Sequence, residues 1–525
     1  MVSHASNSSE LWKALPWKQF RRNLFRLQCR VFKAVQRGDK RKARSLQKLI
    51  LKSQAAQLLA IRQVTQLNAG KQTAGIDGKA SLSFEERFAL SKQLSANVNR
   101  WKHQGLREIP IPKKDGTNRL LKVPTIADRA WQCLAKFAIE PAHEATFHER
   151  SYGFRTGRSA HDAQKNLFNN LRSQSNGIDK RAIELDIEKC FDRISHSAIM
   201  NHLIAPRGLK LGIFRCLKAG TNIGFPDQGT PQGGVASPVL ANIALNGIEE
   251  IHTSVRYADD MVIILKPNDN AQAILDEISQ FLAERGMSVS LSKTRVTAST
   301  DGFDFLGWHF KVQRNGKFRC TPSQENFNAF RKKVKSIVNH SNYGAKVKAE
   351  KLAPIVRGWK SYHRFCKMTG VGSLLSHLRL RAYRVFNRES KQNRFSSATL
   401  LEKAFPPVSY SENKYIKVRG AKSPYDGDLP YWSERNSKLY DGKTSKALKQ
   451  QNHSCARCGL KFMSDEAVNL HHIDGNHQNW KTSNLEAIHE SCHDYIHMSK
   501  CESSEYREPD AVKAARPDLT ERGEV

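Results

Sequence analysis

Apolar positions near the start of the chain recur at helical spacing: Phe20, Leu24, Leu27, Val31 and Val35, with Arg21, Arg22, Arg26, Arg30 and Lys33 between them. This pattern predicts an amphipathic helix with a basic outer side. Gly38-Asp39 breaks it, and a second helix is expected to run toward Leu67. Further along, the period changes to two. Ile183, Leu185 and Ile187 alternate with Glu184 and Asp186, as in a half-buried strand with a carboxylate near its end. The run Ser254-Val255-Arg256-Tyr257-Ala258-Asp259-Asp260-Met261-Val262-Ile263-Ile264-Leu265 predicts a strand, a tight turn and a second strand buried on both faces. Helical spacing returns from about Gln324 to Phe386. Between Arg388 and Leu448 prolines interrupt the pattern, and Tyr410, Tyr415, Tyr425, Tyr431 and Trp432 lie among Lys and Arg. Such interleaving suits base stacking with phosphate neutralisation, or else a small irregular linker. Beyond Cys501 no core pattern remains, and disorder is expected.

Charge sharpens this picture. The chain has 525 residues, 39% of them hydrophobic, enough for several packed cores. Its formal charge is +35, far more than solubility needs, which implies a polyanionic partner. A basic membrane-surface protein is the rival. No apolar run of about 18 residues spans a bilayer, and Met1-Val2-Ser3-His4-Ala5 begins no signal sequence, so a cytoplasmic location is expected. The ten cysteines are mostly scattered, as reduced thiols rather than a disulfide framework.

The turn at Asp259-Asp260 carries candidate chemistry. Two carboxylates beside apolar surface repel each other unless a cation joins them. Hard oxygen ligands suit Mg²⁺, and Mg²⁺ suits phosphoryl transfer. Asp186 on a neighbouring strand would complete a site for two ions, which activate a 3′-hydroxyl and stabilise in-line displacement at phosphorus. The plain alternatives are an Asp-rich hairpin turn and an exposed strand residue.

Six blocks follow one another along the chain: Asn68 to Gly78, Arg107-Glu108-Ile109-Pro110-Ile111-Pro112-Lys113-Lys114, Ser151-Tyr152-Gly153-Phe154-Arg155-Thr156-Gly157-Arg158-Ser159, Gly229-Thr230-Pro231-Gln232-Gly233-Gly234, Tyr257-Ala258-Asp259-Asp260 and Phe303-Asp304-Phe305-Leu306-Gly307. In this order they resemble a group II intron-encoded reverse transcriptase and maturase of the bacterial chloroplast-like type. The resemblance implies an α+β chain. It would comprise an N-terminal helical extension (1–80), right-hand fingers and palm (81–323), an α-helical thumb or maturase domain X (324–387), a DNA-binding region or linker (388–448), a ββα-metal HNH module (449–501) and a disordered tail (502–525). It assigns Asp186, Asp259 and Asp260 to the catalytic carboxylates, with the Ile187 carbonyl as a further metal contact. Phe191 falls at the position that excludes a 2′-hydroxyl, Lys113 and Arg119 approach the nucleotide phosphates, Gln232 lines the nucleotide pocket, and Lys293 contacts nucleotide or primer. In the thumb-like segment, Arg357, Lys360 and Arg364 suit an RNA-facing surface.

A second constellation closes the chain: Cys455-Ala456-Arg457-Cys458, Leu470-His471-His472-Ile473-Asp474, Asn484, His489-Glu490-Ser491-Cys492-His493 and His497. It resembles an HNH endonuclease. That likeness implies His472 as general base, Asn484 holding the loop, and His471, His493 and His497 as ligands of the nuclease metal, with His497 alternatively contacting phosphate. Cys455, Cys458, His489 and Cys492 supply four Zn²⁺ ligands. The family has Cys where His489 stands, so Cys501 is the alternative fourth ligand. A purely structural zinc finger is the bland reading of the module.

Together these features imply a maturase that folds its parent intron RNA, an RNA-directed DNA polymerase that uses dNTPs, and a nuclease that cuts the second strand of target DNA for target-primed synthesis. The alternatives are a retron- or defence-type reverse transcriptase and a splicing factor with inactive sites. If about eight phosphates are contacted, affinity for intron RNA should fall with salt along a log–log slope near −6 to −7, measured by filter binding. A slope near −1 contradicts an extensive basic interface.

Overall fold

In a computed structural model of the chain, the described residues are 2–112, 116, 118–220, 226–368, 370–389, 394–440, 442–462, 468–490, 492–493 and 496. Lys113, His497, Cys501 and the tail beyond it lie outside them. The architecture is α+β. Helices α1 (Val2–Ala14), α2 (Trp17–Gln36), α3 (Lys40–Lys52) and α4 (Gln54–Arg62) open the chain. The second expected helix is therefore two. Ser53 adopts an extended backbone (ψ 114°), ends α3, and its hydroxyl accepts from the Ala56 N–H to cap α4. After α5 (Phe84–Asn97), β1 (Arg107–Pro112) and β2 (Asn118–Val123) form an antiparallel ribbon.

Helices α6 (Ile126–Glu144) and α7 (Ala160–Leu171) precede β3 (Arg181–Asp186). Short helices α8 (Cys190–Arg193), α9 (His196–His202), α10 (Arg207–Ala219), α11 (Ser237–Leu245) and α12 (Ile248–Ile251) lead to the hairpin β4 (Ser254–Tyr257) and β5 (Asp260–Leu265). After α13 (Ala271–Ala283) comes β6 (Arg295–Ala298), giving a four-stranded antiparallel sheet in the order β4-β5-β3-β6. The alternation of side chains separates two cores. Ile183, Leu185, Met261, Ile263 and Leu265 face the core built with α2 to α6, whereas Ala182, Val255, Val262 and Ile264 face a second core. This is why β5 reads as an unbroken apolar run. The N-terminal helices thus share one core with the sheet.

The second core is closed by β7 (Phe303–Phe305), β8 (Trp308–Val312) and β9 (Phe318–Pro322), an antiparallel three-stranded sheet. Helices α14 (Gln324–Val338), α15 (Ala345–Tyr362), α16 (Val371–Glu389) and α17 (Arg394–Ala404) form a third core. Leu401, Ala404 and Phe405 belong to it, so this helical unit runs past residue 387. Two cations expected to face RNA are tied down internally: Lys360 Nζ donates to the Pro406 carbonyl at 3.0 Å, and Arg364 donates to the Leu439 carbonyl.

The proline-rich segment that follows is a strap docked on α6 and α7. Ser411 and Asn413 N–H groups donate to the Arg364 and Phe365 carbonyls, and Lys165 Nζ donates to the Asn413 carbonyl. Asp162, fully buried on α7, accepts from the Val418 N–H (2.7 Å), Tyr415 OH (3.1 Å) and Arg435 Nη2 (3.2 Å). Arg435 lies on α18 (Leu429–Leu439). Tyr425 OH donates to Glu140 of α6, and Trp432 Nε1 to the Ser423 carbonyl. Tyr415, Tyr425 and Trp432 are therefore buried and cannot stack bases, a correction to the sequence expectation; Tyr410 remains exposed. The reason is burial of large rings whose polar ends find partners inside. Last, α19 (Gly442–Gln450) packs on the hairpin β10 (Val468–His472) and β11 (Leu485–His489), which has its own small core.

Arg435→Met should free the strap by leaving Asp162 with an uncompensated buried charge, at about 3–5 kcal/mol. The readout is limited chymotrypsin digestion, with new cleavage after Tyr415, Tyr425 and Trp432. Wild-type resistance refutes the anchoring role.

Candidate active site and metal centre

Antiparallel register places Asp186 directly opposite Asp260, so their Cβ atoms are cross-strand neighbours on one face. Asp259 stands in the two-residue turn between Tyr257 and Asp260, which pair with each other. All three carboxylates are half-buried at one end of the sheet. Below them, burial and then the negative charge of Asp259, with Asp186 and Asp192 behind it, push the Cys190 thiol well above its ordinary range. Lys293 Nζ donates to Asp186 Oδ2 at 2.9 Å, and the Asp186 carbonyl accepts from the Ser290 N–H. Ile187 is bridged to Val289.

The turn itself is strained. Ala258 has φ 59°, a left-handed conformation that L residues avoid. The surroundings enforce it. Arg256, fully buried on β4, donates to the Ala258 carbonyl (2.9 Å), Glu249 Oε1 (2.6 Å), Asn242 Oδ1 (2.9 Å) and Ser151 Oγ (2.8 Å). The Tyr152 N–H donates to the Arg256 carbonyl, and Asn242 Nδ2 to the Gly153 carbonyl. A Cβ on Gly153 would come within 2.3 Å of the Ala258 nitrogen, so only glycine permits this approach. Sequence reasoning missed Arg256, Glu249, Asn242 and Ser151. The available signal was a cation inside an otherwise apolar strand next to the aspartates.

The neighbouring pocket residues are gathered by one loop. The Thr230 N–H donates to the Phe191 carbonyl and the Lys122 N–H to the Gln232 carbonyl, joining the Gly229–Gly234 loop to both α8 and β2. A Cβ on Gly233 (φ 120°) would meet the Lys122 carbonyl at 2.8 Å. Gln232 Nε2 lies 3.4 Å from Asp192 Oδ1. Phe191 is half-buried and edge-on to Phe154, and Arg119 is exposed on β2 opposite Ile111.

At the other end of the chain, the ligand atoms of Cys455, Cys458, His489 and Cys492 all lie within 4.8 Å of one another. Cys458 Sγ is 3.1 Å from His489 Nδ1. Such a set, with His489 as its fourth member, fits a tetrahedral Zn²⁺. Nearby, the ring centroids of His471, on β10, and His493, after β11, are 5.8 Å apart. Asn484 ties the intervening loop: its side chain accepts from the Asp474 N–H and donates to Asp474 Oδ1 and the Asn479 carbonyl, while its own carbonyl accepts from the Ile473 N–H. His472 is 6% exposed, with His477 and the edge-on Trp480 against its ring. Burial, then His477 and Lys443, hold this imidazole below its ordinary range against the pull of Asp474.

Family models match three segments: N-terminal domain of reverse transcriptase over residues 12–94, reverse transcriptase (RNA-dependent DNA polymerase) over 111–310, and group II intron, maturase-specific domain over 327–403. Maturase-like protein 1 of Euglena gracilis is 42% identical over 405 residues, covering 76% of this chain and 88% of that protein. The chain belongs to the group II intron reverse transcriptase/maturase family. Maturase-like protein 1 of Euglena longa is 38% identical over 393 residues, 74% of this chain and 86% of that protein. Group II intron-encoded protein LtrA of Lactococcus lactis subsp. cremoris is 26% identical over 330 residues, 48% of this chain and 54% of that protein. This group II intron reverse transcriptase/maturase is thus an RNA-directed DNA polymerase with a maturase-specific domain, and its family implies binding of intron RNA. Among the described residues no helix is long and apolar enough to cross a membrane.

Arg256→Lys keeps the charge beside Glu249 but not the four-way grip. Single-nucleotide incorporation, followed by rapid quench, should slow by about tenfold or more because the turn is misplaced, with RNA affinity unchanged. A wild-type rate would refute the gripping role.

Proposed function

We propose that one chain combines three activities: stabilising the parent intron RNA for splicing, copying that RNA into DNA, and cutting the second strand of target DNA to supply the primer. The observation that carries the polymerase is the pairing of Asp186 with Asp260 beside Asp259 in a turn gripped by Arg256. The sheet β4-β5-β3-β6 is then the palm, β1 and β2 the fingers, and α14 to α17 the thumb.

Asp186 and Asp259, with the Ile187 carbonyl, would hold Mg²⁺, which when bound activates the primer 3′-hydroxyl and offsets charge at the phosphorus. The lysine on Asp186 shows that this carboxylate already attracts a cation. Lys293, beside Asp186, would contact the nucleotide or primer. Arg119, with Lys113, holds the triphosphate as fixed positive charge. The Phe191 ring closes the space a 2′-hydroxyl would need, and Gln232 forms the adjoining wall. Phosphoryl transfer demands mainly such positioning and charge.

In the C-terminal module, His472 is the proposed general base that takes a proton from water, Asn484 fixes its loop, and His471, His493 and His497 would be the ligands of the nuclease metal, with His497 alternatively contacting phosphate. Zn²⁺ at Cys455, Cys458, His489 and Cys492 would hold a core too small to persist alone. One observation favours a second reading, a DNA-binding finger without cutting: Trp480 covers His472.

The two are separated on one purified ribonucleoprotein assayed for splicing, nicking and primer extension. Asp259→Ala should abolish cDNA synthesis, His472→Ala should abolish only the second-strand cut, and Cys458→Ala should unfold the C-terminal module while sparing extension on a supplied primer. Assisted splicing should persist in all three. Normal cDNA synthesis by Asp259→Ala would end the two-metal assignment, normal nicking by His472→Ala would end the assignment of His472 as the nuclease base, and no nicking by the wild-type protein would favour the finger.

A further inference from the structure

Four cations converge on a cavity of about 260 Å³ where three parts of the fold meet. Arg172 comes from the end of α7, Lys317 and Arg319 from the β8–β9 hairpin, and Lys367 from the turn after α15. Glu412 of the strap is the one carboxylate in the lining. Among the described residues none of the four cations forms an ion pair. Arg172 answers in part to the negative end of α7, and Lys367 follows the end of α15; Lys317 and Arg319 have no such helix end to serve. Arg319 Nε is buried without a hydrogen-bond partner. A guanidinium nitrogen in that state is costly unless a ligand completes it. Phe168 and Phe318 line the same cavity, edge-to-face at 5.3 Å.

We propose that this cavity binds one unpaired nucleotide of the intron RNA, outside the polymerase centre. The four cations neutralise its phosphate, with Arg319 as the planar donor, and the phenylalanine pair receives the base. The cavity is too small for a paired helix, so a nucleotide splayed from a loop or bulge is the occupant. RNA rather than DNA follows from two features. Lys367 lies within the maturase-specific match, and Glu412 supplies an acceptor that a ribose 2′-hydroxyl can donate to and a deoxyribose cannot. None of these residues belongs to the carboxylate cluster or the Cys–His centre.

The test uses the full-length protein and the parent intron transcript. Lys317→Ala and Arg319→Gln should each weaken binding by about five- to tenfold and reduce the log–log salt slope by about 1. Lys266→Ala, the same charge change at an exposed site elsewhere, should change affinity less than about twofold. Extension of a short primed RNA template should be unaffected, and Glu412→Gln should narrow the preference for RNA over single-stranded DNA of the same sequence. Arg319→Gln carries the risk of misfolding. Lys317→Ala is on the surface, and its result decides: affinity matching Lys266→Ala overturns the proposal. Loss of primer extension together with binding overturns it as well, by placing the effect at the polymerase centre. Equal competition by DNA and RNA in the wild-type protein replaces the RNA site with a general single-strand site and refutes the proposal in the form given.

Discussion

The buried pair of Arg256 and Glu249 is the constraint on which the aspartate turn depends. Taking two charges fully out of water is expensive, and their attraction alone rarely offsets it. Here the guanidinium also reaches the Ala258 carbonyl, Asn242 and Ser151, so each of its three nitrogens has an acceptor. One side chain thereby joins α11, α12, the loop before α7 and the aspartate turn. The left-handed Ala258 is tolerated because so many contacts determine it, and the strain sits where function needs a fixed geometry.

A second buried charge, Asp162, plays the same part for the rest of the chain. It caps α7 by accepting from the Ser159 N–H, and it also receives Val418, Tyr415 and Arg435 from the strap. Packing around His161 brings Trp308, Tyr362, Phe365 and Tyr415 together, from the β7–β9 sheet, the helical unit and the strap. The helical unit is therefore tied to the sheet through the strap as well as through direct contact. The basic cavity lies at this same junction, so an RNA nucleotide bound there would touch all three parts at once.

The C-terminal module follows a different rule. Its core consists of a few apolar residues around Cys455 and Cys458. So small a core cannot hold a fold by apolar burial alone, which is why four ligand-bearing side chains within 4.8 Å of one another matter.

Much was legible in the sequence because it rests on local periodicity and short spacings. Alternation in Ala182–Asp186 and the unbroken run Met261–Leu265 identified the strands that carry the aspartates, since strand side chains alternate by faces. The Cys-x2-Cys and His-x2-Cys spacings named the same four side chains whose ligand atoms the fold gathers within 4.8 Å of one another. What only the tertiary structure decided involves residues far apart in the chain. Nothing local distinguishes the buried Tyr415, Tyr425 and Trp432 from the exposed Tyr410, because their partners Asp162, Glu140 and Ser423 are supplied by packing. Likewise Lys360 and Arg364 read as surface cations until the carbonyls of Pro406 and Leu439 arrive beside them. Hydrophobic pattern sets which face of an element is buried; which polar group meets which inside is settled only when the elements come together.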